Sequence, residues 1–477
     1  MANAVARYFS EFKVLKHASR DFWLTNAIQF FDGLAYFPII TALSLYLTAN
    51  CGFDDVQSGA WVGIFTLYIT AFAFAVGSIC DVIGVKKAYC FGIGLLAISR
   101  FGLGFAPMFT SGETMGYTVR SLIILMSLGT AFMTPVTMTA LRRYTSKETR
   151  GTGFNIYYLL MNVGSFLSFI LVLDGLRTGF SIPGTGISIG GGADGRDGNL
   201  AIFIFAGVMA LLSLVCVFWL REHNYAEPSE RLQESDNRRP LAIFMEVWKE
   251  KPFQRLILFL VLTIGVRLVF THQFLVMPKY YIRVMDSDFN IGWANSINPL
   301  IIVVGLIVLI PIINRYSTIK LIIIGMIISA ASLVFLVLPV EWFMKLPFIH
   351  SHAQAYFFMI VAQIIVFAIG ELIFNPRFTE YIASVSPPDK VSSYMALSAL
   401  PAFISKPING FISGILISRF CYDGIRPKIE TGNVGYLQSP EFMWLIYFAL
   451  AALSPVAVIA MKNRLTRGDK PAATAES

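Results

Sequence analysis

Charge is scarce in this sequence. Only 14% of its 477 residues are Asp, Glu, Lys or Arg, against roughly a quarter in a soluble domain, which excludes water as the solvent of most of the chain. Cysteine is scarce too. The five present (Cys51, Cys80, Cys90, Cys216, Cys421) are scattered and odd in number; this excludes a disulfide framework, gives no paired metal spacing and leaves them as packing residues. His350 and His352 stand close together without a third ligand, so no metal and no cofactor is assigned. The glycine-rich stretch 177–199, with Gly184, Gly186, Gly190, Gly191 and Gly192, lacks a preceding strand and a closing Gly-Lys-Ser/Thr. That excludes a phosphate loop and leaves a flexible loop. Alternation over about ten residues, the mark of a membrane barrel strand, is also missing.

What the chain has instead is apolar blocks. Leu321 to Val340 and Phe442 to Met461 contain no formal charge. At about 1.5 Å rise per residue such a block spans the ~30 Å hydrocarbon core as a helix, and backbone in lipid must satisfy its own hydrogen bonds. Twelve helices are expected, at 22–48, 59–80, 88–107, 119–141, 152–174, 200–220, 253–277, 291–313, 319–340, 353–376, 392–418 and 441–461. The apolar stretch after the basic N-terminal residues exceeds a signal-peptide core, so the first helix is expected to be retained. The net charge of +8 comes from short loops between these blocks, which points to membrane topology rather than to nucleic acid. Of the 37 Lys and Arg, 25 fall in or beside the segments on one side and 8 in the loops on the other. The bias places both termini in the cytoplasm and makes the chain a multi-pass protein of a plasma (bacterial inner) membrane.

The charged stretch 221–252 divides the chain into two six-helix halves, 1–220 and 253–477. A weak repeat supports this. The loop Gly77-Ser78-Ile79-Cys80-Asp81-Val82-Ile83-Gly84-Val85-Lys86-Lys87 is echoed 233 residues later by Asn314-Arg315-Tyr316-Ser317-Thr318-Ile319-Lys320, where a duplicated unit would place it. The fold class expected is therefore all-α, with twelve membrane helices in two pseudo-symmetric six-helix bundles.

The first of these loops resembles the signature of the major facilitator superfamily, Gly-x-x-x-Asp-x-x-Gly-x-Arg/Lys-Arg/Lys. Gly77, Asp81, Gly84, Lys86 and Lys87 then form a conformational-switch loop: glycine allows a tight turn, Asp81 can cap a helix N-terminus, and the lysines can meet carboxylates or helix C-termini. Four further stretches resemble the proton-coupled oligopeptide transporter (POT) branch. They are Phe154 to Ser165 in the fifth helix (Phe-Tyr-x-x-Ile-Asn-x-Gly-Ser), Trp293 to Pro299 in the eighth (Gln-Ser-x-Asn-Pro), Gly370 to Pro376 in the tenth (Gly-Glu-Leu-x-x-Ser-Pro) and Gly129 to Pro135 in the fourth (Gly-Thr-Gly-x-x-Lys-Pro). Two departures stand out. Where that branch has Glu-x-x-Glu-Arg, this chain has Gln29-Phe30-Phe31-Asp32-Gly33, and the fourth-helix lysine is Thr134.

A charge near the bilayer midplane costs about 2.5–3.5 kcal/mol on insertion scales, so charges found there usually face a cavity. Asp32, Arg267, Glu371 and Lys406 balance in sign, which suits a cavity for a zwitterionic or anionic solute and suits a structural ion-pair network as well. Asp32, Glu371 and His272 are the proton-coupling candidates, because a carboxylate is costly to keep charged away from water and imidazole titrates at about 6.5. The substrate-binding candidates are Tyr36, Tyr157, Tyr158, Asn162, Arg267, Asn298, Glu371 and Lys406. The tyrosines serve as amphipathic walls and Arg267 as a carboxylate clamp; the resemblance implies that Glu371 receives a substrate amino group. Pro38, Pro135, Pro299, Pro376 and Pro407 each free a backbone carbonyl inside a helix and suit gating bends. Arg100 and Arg120 are expected near the outer face, reaching toward it.

The expected function is secondary active transport of a small solute, a peptide or related amphoteric molecule, by alternating access coupled to protons. The chain is taken as a monomer in the bilayer, without enzymatic chemistry. Two alternatives stay open: a facilitator or exporter of an organic anion or drug-like amphiphile, and a transport-incompetent receptor or partner subunit.

Overall fold

Local signals at the ends of the apolar blocks start and stop the helices of the computed structural model, which describes residues 16, 18–181, 188–192, 195–222, 251–285, 289–308, 316–385 and 400–465. Ser19 accepts from the Phe22 amide at 3.1 Å and opens α1 (Arg20–Ala49). Asp54 does the same for Gln57 at 2.7 Å and opens α2 (Asp55–Ile83). That helix stops at Gly84, where φ is 88°, a conformation cheap only for glycine, and α3 (Val85–Phe109) starts at the next residue. After α4 (Gly112–Arg143), a reciprocal Ser146/Thr149 capping box opens α5 (Lys147–Leu167). This helix runs on through a π-helical segment, Ser168–Asp174, and a last turn, Gly175–Thr178. Next, β1 (Phe180–Ser181) pairs antiparallel with β2 (Ser188–Ile189), so the glycine-rich loop is partly ordered by a hairpin; Gly184 and Gly186 lie outside the described residues. α6 (Arg196–Trp219) completes the first set.

The second set begins with α7, in two pieces, Lys251–Leu262 and Ile264–Leu275, bent by 47°. A short helix, Met277–Val284, follows. Then come α8 (Ile291–Val308), α9 (Thr318–Ala331), α10 (His352–Val385), α11 (Leu400–Phe420) and α12 (Pro440–Leu465). Ten of the helices are long and apolar enough to cross a membrane, the bent α7 makes an eleventh, and the shorter apolar part of α8, Ile291–Gly305, takes the twelfth place. Most of the 221–252 linker, the loop residues Asn314 and Arg315, and the expected start of the eleventh helix at 392–399 lie outside the described residues.

Large apolar side chains face outward along the helices, among them Ile98, Phe218 and Leu453, while Asp32, Arg100, Asn199 and Asn409 are inside. The interior also holds a buried apolar core, including Phe22, Phe132 and Trp444, so what departs from a soluble fold is the apolar exterior. With no hydrophobic drive between helices in lipid, close backbone approach through small residues has to hold them together. Gly92 of α3 and Gly129 of α4 supply one such crossing: a Cβ on Gly129 would sit 2.9 Å from the Gly92 carbonyl oxygen. Gly325 of α9 and Gly370 of α10 repeat it, each Cβ falling 3.0 Å from the other's carbonyl oxygen. Gly325 stands 233 residues after Gly92, the same offset that relates the two loops. The internal repeat is thus carried in helix packing as well as in sequence.

The five prolines expected to bend helices lie inside continuous ones, whereas the sharp break falls at Thr263, where no proline stands. Its cause lies in α12. The Val266 amide leaves the α-helical ladder and donates to Ser454 Oγ at 2.9 Å. Gly265 lets the two helices come close, since a Cβ there would be 2.5 Å from the Leu450 carbonyl oxygen. The bend sets the direction of the next residue, Arg267. Ser454→Ala is expected to leave a buried amide unpaired, at a cost of about 1–3 kcal/mol, measured as a lower unfolding midpoint of the purified protein. An unchanged midpoint would mean that the bend needs no partner.

Candidate functional site

Helices α1 to α6 pack mainly on one another, as do α7 to α12, and the two sets meet chiefly where α2 crosses α11 and α5 crosses α8. Between them lies a cavity of about 180 Å³. Its walls come from four helices: Tyr36, Phe37 and Ile40 of α1; Arg267, Phe270, Thr271 and Phe274 of α7; Glu371 of α10; Ala402 and Lys406 of α11. A larger cavity of about 270 Å³, lined by Asp174, Arg177 and the loop glycines, sits against the end of α5. We take the smaller one as the functional site, because charges of both signs converge there in an apolar setting.

Inside it, Glu371 is held on both oxygens. Asn298 Nδ2 of α8 donates to Oε2 at 2.9 Å and Asn375 Nδ2, one turn on in α10, donates to Oε1 at 3.0 Å. Asn375 Oδ1 in turn accepts from Arg267 Nη1 at 3.1 Å. One asparagine thus relays between a carboxylate and a guanidinium. The Arg267 guanidinium also lies over Phe270, Phe374 and Phe378, at 5.1, 5.0 and 4.7 Å from their ring centres, where ring quadrupoles stabilise a desolvated cation. Lys406 is held more loosely: its Nζ donates to Tyr36 Oη at 3.4 Å and lies 5.9 Å from that ring's centre.

Four of the residues singled out in the sequence, Tyr36, Arg267, Glu371 and Lys406, therefore share one cavity, with Asn298 directly behind Glu371. Tyr158 of α5 lies within electrostatic reach of Glu371 and Arg267. Asn162 donates to the Tyr158 carbonyl at 2.9 Å, so its amide serves its own helix. Tyr157 is buried within the first set of helices, within electrostatic reach of Asp32. His272 is placed off the cavity, between Phe367 and Trp444, with Nδ1 against the Val269 carbonyl and Nε2 3.5 Å from Gln363 Nε2.

Asp32 is not in the cavity wall. It pairs with Arg100 of α3 at 2.8 Å, and Arg100 is only 2% exposed. The expectation that Arg100 reaches the outer face is therefore corrected: its guanidinium turns inward, to Asp32 of α1 and the Ala206 carbonyl of α6, and a buried counter-ion holds it there. Arg120 is packed among aromatic rings, over Phe53, Trp61 and Tyr117 at 5.4–5.9 Å. In the switch loop, Lys86 closes the end of α6, donating from Nζ to the Phe218 and Leu220 carbonyls at 2.9 and 3.0 Å and from its amide to Glu222 Oε1 at 2.8 Å. Gly84 is needed beside it, since a Cβ there would lie 2.5 Å from the same Glu222 oxygen. Lys87 is exposed, and the burial of Gly77 and the Asp81 side chain lie outside what is described.

Sequence reasoning missed a second set of groups, at the distal end of the molecule where α1 finishes and α2 begins. Asp55 of α2 receives Lys279 Nζ at 2.8 Å and both Arg283 terminal nitrogens at 2.8 and 2.9 Å. Lys279 also donates to Ser58 Oγ at 3.2 Å and Arg283 to the Cys421 carbonyl at 2.8 Å. At the same end, the Asp174 carboxylate of α5 accepts from the Gly292 and Trp293 amides, both at 2.6 Å, capping α8 from the other set of helices. Both carboxylates belong to the first set and both cationic ends to the second. Asp174 stood at the expected end of the fifth helix, and Asp55, Lys279 and Arg283 in expected loops, where charges are commonplace; no pattern in the sequence marked them.

The family model of the Major Facilitator Superfamily matches residues 25–399. No curated protein matches in sequence. Among solved structures, a POT family transporter in complex with 5-aminolevulinic acid superposes with a TM-score of 0.69 at 14% identity, covering 94% of this chain and 97% of that one. A peptide transporter POT in complex with sulfate gives 0.66 at 15%, covering 94% and 95%. An auto-inhibited POT family peptide transporter gives 0.69 at 12%, covering 96% and 99%. At these identities the likeness is one of fold.

Proposed function

Since the chain belongs to the major facilitator superfamily, we propose that it is a secondary active transporter that carries a small peptide or related amphoteric solute, coupled to protons, by exposing one central site to each side of the membrane in turn. The observation that carries this reading is the cavity itself: Glu371 and the cations Arg267 and Lys406 line one small hollow at the junction of the two sets of helices. An amphoteric solute presents an amino group to Glu371 and a carboxylate to the cations. Structures of the same fold whose names record 5-aminolevulinic acid and a thioalcohol-conjugated peptide as ligands support the solute class. In this scheme the protein works as a monomer in a plasma membrane with both termini cytoplasmic, and residues 1–220 and 253–477 move as bodies joined by 221–252.

The distal contacts of Asp55 and Asp174 hold this conformer shut at one end. We assign the coupling proton to Glu371, the only acid in the cavity wall among the described residues. Protonated, it no longer balances Arg267, so the network through Asn375 has to rearrange, and solute binding compensates. Asp32, already neutralised by Arg100, acts as a structural counter-ion. An organic anion is the second reading, favoured by the excess of one cation over carboxylates in the wall.

Counterflow in proteoliposomes tests the reading. Labelled alanylalanine or a related amphoteric solute is expected to exchange without an imposed gradient; exchange of organic anions alone would establish the second reading, and no exchange of any solute would point to a transport-incompetent receptor or partner subunit. Glu371→Gln is expected to keep counterflow and to lose accumulation driven by an inward proton gradient. Proton-driven accumulation that persists in this variant would remove Glu371 as the proton carrier.

A further inference from the structure

The three charges of the central cavity are not equally engaged. Both Glu371 oxygens already accept hydrogen bonds, and Arg267 is bonded to Asn375 and covered by three phenylalanine rings. Lys406 makes no ion pair among the described residues; its ammonium has one long bond, 3.4 Å, to Tyr36 Oη. An ammonium has three donors to satisfy, and away from bulk water an unmatched cation carries a desolvation cost that an anion removes. The wall around it is apolar, from Phe37, Ile40, Phe274 and Ala402. Lys406 belongs to α11 and Tyr36 to α1, so a group bound by both would tie the two sets of helices together across the cavity.

We propose that Lys406 and Tyr36 form a carboxylate subsite. An anionic end with a compact apolar body is then the obligatory feature of the solute, and an amino group is dispensable. The carboxylate accepts from Lys406 Nζ and Tyr36 Oη in place of their mutual contact, while Glu371 keeps its asparagine partners whether or not an amine is present. This rests on the reading of the cavity as the transport site. It goes further in making recognition one-sided: the free cation selects and the satisfied carboxylate does not.

The test is a thermal-shift series on the purified full-length protein, since a ligand of the folded state raises its melting midpoint. Alanine, alanylalanine and phenylalanine are each supplied as the zwitterion, the N-acetyl acid and the carboxamide. The acids are expected to stabilise the protein with or without the amine, and the amides are not. Lys406→Gln is expected to weaken acid binding by about tenfold or more, the loss of one charge-assisted bond, Tyr36→Phe by less, and Lys406→Arg to restore it. Amides that stabilise as well as the acids would overturn the proposal, as would acid affinity within about twofold of the parent in Lys406→Gln when that variant's unliganded midpoint is unchanged. Stabilisation by no compound of the series would overturn the amphoteric-solute reading itself, and the subsite with it, a result distinct from binding that ignores the carboxylate.

Discussion

Asp32→Ala is expected to destabilise the protein by about 3–5 kcal/mol, the cost of leaving one member of a buried ion pair without its partner. The partner is Arg100, 2.8 Å away and 2% exposed. Its 3.4 Å bond to the Ala206 carbonyl is too long to replace a carboxylate. A second route bounds it: an arginine at the centre of a membrane helix costs about 2.5–3.5 kcal/mol on insertion scales, a ceiling for Arg100, which stands nearer one end of α3. Asp32→Asn keeps an acceptor without the charge and is expected to fall between. The double variant Asp32→Leu with Arg100→Met is expected to recover most of the loss, because replacing both members by apolar residues is often neutral or stabilising. Unfolding midpoints in one detergent compare the variants directly. If Asp32→Ala and the double variant melt together well below the parent, the pairing of charges is not what fastens α1 to α3.

The same series bears on coupling. A proton placed on Asp32 would break its direct ion pair with Arg100 and leave the deficit that Asp32→Ala creates, whereas Glu371 meets Arg267 only through Asn375, so a proton there breaks no ion pair among the described residues. Proton-driven uptake that survives in the double variant would support this assignment. Uptake lost there, with the fold intact, would return the role to Asp32.

That Asp32 and Arg100 meet was not legible in the sequence. The number and order of the helices were, because the length of an apolar block is itself a measurement of the bilayer. So were three of the four charges read into the cavity, for a related reason: an ion inside a membrane is costly enough that Arg267, Glu371 and Lys406 stand out from an oily background without any knowledge of their neighbours, while Asp32 stands out as clearly and is not in the wall. Pairing is another matter. Asp32 and Arg100 lie on α1 and α3, and which of several inward cations faces Asp32 depends on helix rotation and depth, which no short-range pattern records. The boundaries of α3 did not decide it, since Arg100 lies about two thirds of the way along the helix whether it spans 88–107 or Val85–Phe109; what the sequence left open was the direction in which the side chain turns. His272 shows the opposite failure, an ionisable residue in a membrane helix that packs between Phe367 and Trp444 and is off the cavity. The distal groups were hidden because Asp55 and Lys279 sit at block boundaries, where charge is ordinary.

Gly59→Ala is expected to hold the distal end open. Gly59 and Gly63 of α2 cross Gly410 and Gly414 of α11 so closely that a Cβ on Gly59 would lie 2.5 Å from the Gly414 Cα, one on Gly410 2.5 Å from the Gly63 Cα, and one on Gly414 2.6 Å from the Asp55 carbonyl oxygen. The obstacles are backbone atoms, so no side chain can turn aside and the helices themselves must separate. Overpacking of this kind costs about 1–3 kcal/mol, which converts to a shift of about 5- to 150-fold between closed and open states. Closure has little to spare against it, because the same junction buries two cations, Lys279 and Arg283, against the single Asp55 carboxylate. The readout is a cysteine at Ser44, which is 6% exposed beside Ser58, in a background without the five native cysteines, labelled by an impermeant maleimide from the side opposite the termini. Labelling is expected to rise by the same factor in Gly59→Ala, and counterflow to fall as the closed state becomes rare. Labelling and counterflow both equal to the parent would show that the crossing of α2 and α11 tolerates a methyl group, and the closing force would then have to lie with the Asp55 and Asp174 contacts alone.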